Sequence, residues 1–202
     1  MKYFQALPKI ITQDNLGNNL ILTNILTRVS IIPELLKNPL LYYSYDVQDG
    51  ETPEIIASKY YGSVDNFWVV MFSNQIFDAQ WEWPLSYNNF SLYINDKYGS
   101  AANAQSQIVQ YQKIVTTSDL YSGDTTTETF IIDETEYSNT IQGVQTVDFS
   151  DGDIITITTT ANPVNAYDYE VSLNESKRTI KLLNAQYLGT LQNQFKKLLM
   201  GA

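Results

Sequence analysis

The chain has 202 residues, 44% of them hydrophobic, with a formal net charge of −10 and neither cysteine nor histidine. That length accommodates one medium domain or two small ones around a real core. The two missing residue types exclude disulfides, His-dependent serine and cysteine triads, Cys-His peptidases and His-ligated zinc amidases.

No apolar run approaches the roughly 20 residues needed to span a bilayer. Met1-Lys2-Tyr3-Phe4 lacks the apolar core of a secretory signal, so the expected location is the cytoplasm unless a particle carries the protein out. The charge is uneven, with twelve acidic side chains and no Lys or Arg over residues 114–176. Such a surface repels phosphate backbones and anionic membranes, so neither nucleic acid nor membrane is an expected partner.

Residues 1–44 read as an N-terminal arm. Phe4, Ile10 and Ile11 precede a turn-rich break at 14–19, and the apolar stretch 20–29 follows. This predicts a hairpin and then a short helix near 23–26. Apolar residues of such an arm are either docked on the module behind them or held by a partner chain.

Residues 45–99 read as a compact module with one extra helix. Tyr45 and Val47 alternate with Asp46 and Gln48 as in a half-buried strand, and Asp49-Gly50 turns the chain. Thr52 suits a helix cap, Pro53 the first helical position and Glu54 the positive end of the helix dipole. Ile56, Ala57 and Tyr60 give that helix an apolar face, and Gly62 ends it. Ser63 is placed to cap a second helix, on which Val64, Phe67, Trp68, Met71 and Phe72 form an apolar stripe. After Trp81-Glu82-Trp83-Pro84-Leu85, Ser86 opens a third helix that carries Phe90, Tyr93, Ile94 and Tyr98 and stops at Gly99.

Residues 100–183 read as an acidic, antiparallel β-rich domain entered through a linker at 100–104. Strands are expected near 108–115, 128–132, 144–149, 154–160 and 167–171, with turns at Ser122-Gly123-Asp124, Gln142-Gly143 and Asp151-Gly152. A further strand is expected over 177–183. Residues 184–202 predict a C-terminal helix with Leu188, Leu191, Phe195 and Leu198 on its apolar face and Lys196 and Lys197 in its last turn. Asn184 and Gly189 compete for its start. The fold class is α+β.

Without His or Cys, the hydrolytic chemistry still open is a carboxylate pair acting on glycosidic bonds, with Glu51, Glu54 and Glu82 as candidates. Each has a structural explanation: Glu51 a turn, Glu54 a helix N-terminus, Glu82 a solvated position between tryptophans. Asp148, Asp151 and Asp153 offer oxygens for Ca²⁺ but do not follow EF-hand spacing, and Asp151-Gly152 is explained as a turn. No enzyme activity, cofactor or metal is therefore expected. Trp81, Trp83 and Tyr87 could seal a core, anchor a protein or stack on a sugar.

The residues Tyr45, Val47, Gly50, Glu51, Thr52, Ile56, Ala57, Tyr60 and Asn74 resemble the LysM pattern, which implies a βααβ scaffold. Many of its relatives bind N-acetylglucosamine polymers, so a peptidoglycan-binding module is the alternative reading, with Gly50, Glu51 and Thr52 as glycan-site candidates. A wider layout resembles the baseplate wedge subunits numbered fifty-three of T-even-type contractile-tailed phages. It is carried by Asn74-Gln75-Ile76-Phe77-Asp78, by Trp81-x-Trp83-Pro84-Leu85-Ser86, and by the stretch from Tyr169-Glu170-Val171 to Ile180-Lys181-Leu182-Leu183. The resemblance implies a structural virion protein of the tail baseplate, assembled in the host cytoplasm. It also implies binding to other wedge proteins in multiple copies, within a six-fold ring, and no catalysis. Candidate interface residues are Phe4, Ile10, Ile11, Trp81, Trp83, Tyr87, Leu191 and Phe195.

Overall fold

A computed structural model describes residues 2–27, 29–31, 33–149 and 154–200. Its helices are α1 (Tyr3–Ala6), α2 (Pro33–Leu36), α3 (Pro53–Tyr61), α4 (Phe67–Ser73), α5 (Ala79–Glu82), α6 (Tyr87–Tyr98), α7 (Ala101–Ser106), α8 (Glu134–Asn139), α9 (Ala166–Ser176) and α10 (Leu188–Met200). The strands are β1 (Lys9–Gln13), β2 (Asn19–Thr23), β3 (Tyr42–Asp46), β4 (Ile108–Asp119), β5 (Thr125–Ile132), β6 (Gly143–Asp148), β7 (Ile154–Asn165) and β8 (Thr179–Leu183). Helices and antiparallel sheets together make an α+β fold, divided into two compact units: residues 1–87 with 174–202, and residues 88–173.

The first unit is built on a strand–helix–helix–strand order. Thr52 caps α3 by accepting the Ile55 N–H, Pro53 occupies its first turn, and Gly62 ends it in the left-handed conformation at φ 70°. Ser63 then accepts the Asp65 N–H and opens a short 3-10 turn, Val64–Asn66, that leads into α4. The strand that completes the order is not next in sequence. It is β8, which pairs antiparallel with β3 from Tyr42↔Leu183 to Asp46↔Thr179. Asn74 fastens α4 to this strand: its amide N–H₂ donates to the Lys181 carbonyl at 2.8 Å and its oxygen accepts the Lys181 N–H at 2.7 Å.

Helix α4 is the hub of the unit. Val70 joins Val47, Ile56, Ala57, Ile76, Trp83, Ile180 and Leu182 in one cluster, while Trp68 and Val69 join Ala6, Leu7, Leu183, Phe195 and Leu199 in another. Val69 and Val70 are both 0% exposed. Of the expected stripe, Phe67, Trp68, Met71 and Phe72 pack against these clusters, Val64 is exposed, and Val69, Val70 and Ser73 are buried in addition. Six consecutive apolar residues, 67–72, surround this helix, as suits one packed on two sides. Fully burying each aliphatic side chain contributes about 1.5–3 kcal/mol, so Val69 and Val70 together contribute about 3–6 kcal/mol.

Three further expectations in this unit change. The helix near 23–26 is absent; residues 25–26 form a turn after β2, and the short helix lies at α2. The C-terminal helix starts at Leu188, while Asn184 caps a separate 3-10 turn, Ala185–Tyr187. Its buried residues are Phe195 and Leu199, Leu188 and Leu191 pack against the same cluster, and Leu198 is exposed.

The second unit carries a four-stranded antiparallel sheet in the order β5-β4-β7-β6. The strands expected near 108, 128, 144 and 154 are present and mostly longer than anticipated. The stretch 167–171 is helix α9, not strand. Asn165 caps it by accepting the Asp168 N–H at 2.8 Å and donating to the Asp168 carboxylate at 2.9 Å. Residues 101–104 of the expected linker are likewise helical in α7, with Ser100 capping the helix by accepting the Asn103 N–H.

Glu170 of α9 is buried and accepts hydrogen bonds from Lys97, Tyr98 and Tyr93 of α6. Burial pushes its pKa up, but Lys97 and the two phenols outweigh that and hold the carboxyl below the usual range. A depressed carboxylate stabilises the fold above its unfolded value, near 4.3, and that contribution is lost as pH falls through the folded value. Glu170→Gln is expected to cost about 2 kcal/mol at neutral pH, less than a fully buried pair because Lys97 keeps contact with water. Thermal melts from neutral to acid pH check this: the gap between the two proteins should shrink as pH falls.

Candidate interaction surfaces

The turn at residues 50–52 is built around an inward carboxylate. Glu51 is buried and accepts the Tyr45 O–H at 2.8 Å and the Gln48 N–H at 2.9 Å on one oxygen, while Lys59 pairs with the other. Burial opposes ionisation, yet these donors together hold its pKa below the ordinary carboxylate range. Gly50 supplies the positive φ of 76° the turn needs, and the Thr52 hydroxyl is engaged as a cap. The charged group of this candidate glycan site thus faces the fold and already has three donors.

The other carboxylates are placed differently. Glu82 accepts the Phe77 and Asp78 N–H groups at 2.7 and 2.8 Å, which close the loop before α5. Its pKa is lowered chiefly by the Asp78 N–H, then by that of Phe77. Glu54 is exposed at the start of α3. Among the described residues, no group of three or more Asp or Glu side chains could hold a metal ion. Asp148 is exposed on β6, and Asp151 and Asp153 lie outside the described residues. No helix among the described residues is long and apolar enough to cross a membrane.

The aromatic run separates into two roles. Trp83 is 7% exposed, belongs to the core cluster and donates its indole N–H to the Glu51 carbonyl at 2.8 Å. Trp81 is 64% exposed, on a short helix fixed by the Asp78 cap at one end and by the Lys177 ammonium donating to the Trp81 carbonyl at the other. Tyr87 is 72% exposed and its N–H donates to Asp49. Phe77 is exposed as well. Large rings held outward on a fixed backbone bury area on contact at low entropic cost, as in interface hot spots.

The arm exposes more apolar residues than the three singled out from the sequence. Phe4, Ile10 and Ile11 are exposed, and so are Leu16, Leu20, Ile21, Leu22, Ile25 and Leu26. Ile10 faces Leu22 and Ile11 faces Ile21 across the hairpin, so both of its faces are apolar. The signal was present in Leu20-Ile21-Leu22, because consecutive apolar residues in a strand mean that both faces seek cover. Leu191 is half-buried and lines an apolar cleft of about 180 Å³ with Ile31, Leu35, Leu41 and Tyr187, whereas Phe195 is buried in the core.

The family described as base plate wedge protein 53 matches residues 23–198. No curated protein matches the chain.

Proposed function

Because the chain belongs to the base plate wedge protein 53 family of phage structural proteins, we propose that it binds neighbouring wedge proteins and helps join the wedges into the ring of the tail baseplate. The observation that carries this reading is the apolar surface of the first unit: a hairpin uncovered on both faces, with the fixed and exposed Trp81 and Tyr87 as further anchors. Patches of this kind on a folded chain mark surfaces that partners cover. The partners are other baseplate proteins, met in several copies, and assembly takes place in the host cytoplasm before the protein resides in the virion. The engaged carboxylates of Glu51 and Glu82 support a role without catalysis and without a charged contact to glycan at residues 50–52.

Infection by phage carrying Trp81→Ala and Tyr87→Ala together tests the reading. Loss of two hot-spot rings is expected to weaken incorporation into baseplates about 30-fold or more, while the melting temperature of the purified chain stays within about 1 °C, because neither ring is packed inside. Incorporation equal to that of the natural chain would contradict the proposed anchors. Normal tails formed after deletion of the whole chain would contradict the proposed function.

A further inference from the structure

We propose that copies of this chain associate head to tail, the N-terminal hairpin of one copy adding to the β6 edge of the acidic sheet of the next. This goes beyond the role in binding other wedge proteins and is tested on the purified chain alone.

Both partners of the contact are visible in one molecule. Among the described residues, β1 and β2 make a two-stranded sheet, so each has one edge with no neighbouring strand. A two-stranded hairpin alone is marginal in water, and this one carries apolar side chains on both faces. In the second unit, the strand order leaves β5 and β6 as sheet edges. Natural edges are usually blunted by Lys, Pro or a bulge. Strand β6, Gly143–Asp148, has neither Lys nor Pro, and its pairing with β7 runs without a register shift. Val144 and Val147 on it are 65% and 42% exposed, and Ile141 and Phe149 beside it are exposed too. The other edge, β5, likewise has neither Lys nor Pro nor a register shift and exposes Phe130 and Ile131, but it is polar from Thr125 to Thr129, whereas the exposed valines of β6 lie along the strand itself.

Charge selects which edge meets which. The arm, residues 1–44, holds Lys2, Lys9, Arg28 and Lys37 against Asp14 and Glu34, while residues 114–176 hold twelve acidic side chains and no basic one. Pairing sheet edge with sheet edge would bring like charges together, and so would pairing arm with arm. Arm with sheet edge brings opposite charges together. The strands match in length, five residues in β1 and six in β6. A contact that uses two different patches leaves one of each free at the ends, so it propagates, and it closes into a ring when the rotation per copy allows.

Sedimentation velocity across a concentration series tests this with two surface variants. Ile11→Asp with Ile21→Asp alters the arm, and Val144→Lys with Val147→Lys alters the edge; all four side chains are exposed, and circular dichroism verifies that each variant folds. The natural chain is expected to form dimers and larger species that dissociate as salt screens the charges. Each variant alone should be monomeric, and an equimolar mixture should give dimers and nothing larger, because one intact arm then meets one intact edge. Lys9→Glu, which reverses one charge and removes the exposed Lys9 hydrogen bond to Thr23, should weaken association about threefold. A natural chain that stays monomeric at every concentration, or a mixture that fails to restore the dimer, overturns the proposal, including the case of an arm lying on its own sheet. Association undiminished in either double variant overturns it equally.

Discussion

Trp83→Ala is expected to cost about 4–6 kcal/mol of stability in the first unit, whereas Trp81→Ala, two residues earlier, leaves stability nearly unchanged. Emptying a buried indole site removes transfer energy and leaves a cavity, together about 3–5 kcal/mol. The N–H that bonds to the Glu51 carbonyl adds about 1 kcal/mol. The cavity would open in the cluster of Val47, Ile56, Val70 and Leu182, all of them buried and with little freedom to collapse. Denaturant unfolding of the two variants checks the contrast. Equal losses would mean that Trp81 is packed inside, and no loss for Trp83 would mean that it is not a core residue.

Glu51→Ala is the second large effect, about 2–3 kcal/mol. It leaves the Gln48 N–H and the Tyr45 O–H without their acceptor in a part-buried turn, and orphaned donors cost about 1–3 kcal/mol. Lys59 is mostly exposed and returns to water at little cost. Glu51→Gln should recover part of the loss, since an amide oxygen can still accept. The natural chain should also lose stability in acid as this depressed carboxyl protonates, and Glu51→Ala should lose less over the same range. Binding of baseplate partners by the folded fraction of Glu51→Ala should equal that of the natural chain. Loss of binding without loss of stability would make the turn a contact site instead of a structural one.

How far the sequence could be read depended on where the stabilising contacts lie. The stretch from Tyr45 to Asn74 was legible because its signals are local: Thr52, Pro53, Gly62 and Ser63 act on the backbone within a few residues of themselves. The strand that closes the module was anticipated over 177–183, but its pairing with Tyr42–Asp46 was not, because that contact is fixed by side chains such as Asn74 and Tyr61 reaching across the chain. Helix α9 was misread for a different reason. Its inward positions are Ala166, Glu170 and Asn174, so a helical spacing was present but two of its three members are polar. Glu170 is compensated by Lys97 and two phenols, and Asn174 by the Leu85 N–H and C=O, partners no local pattern reveals.

The candidate surfaces follow the same division. Alternation alone could not tell Trp81 from Trp83, since both directions around a short turn are open to a ring until the neighbouring elements are placed. The uncovered arm was partly legible, through Ile10-Ile11, and the longer apolar run in β2 extends it. The likeness to LysM modules rests on the residue pattern of 45–74, whereas family membership spans residues 23–198.

The central claim, that this chain is a structural part of the baseplate joined to other wedge proteins, is tested most directly by quantitative mass spectrometry of baseplates isolated from washed phage particles. The account predicts the chain in that fraction at a fixed ratio to the other wedge proteins, unchanged by salt washing. Its absence from baseplates, together with recovery on insoluble peptidoglycan, would contradict the account and turn attention to the turn at Gly50, Glu51 and Thr52.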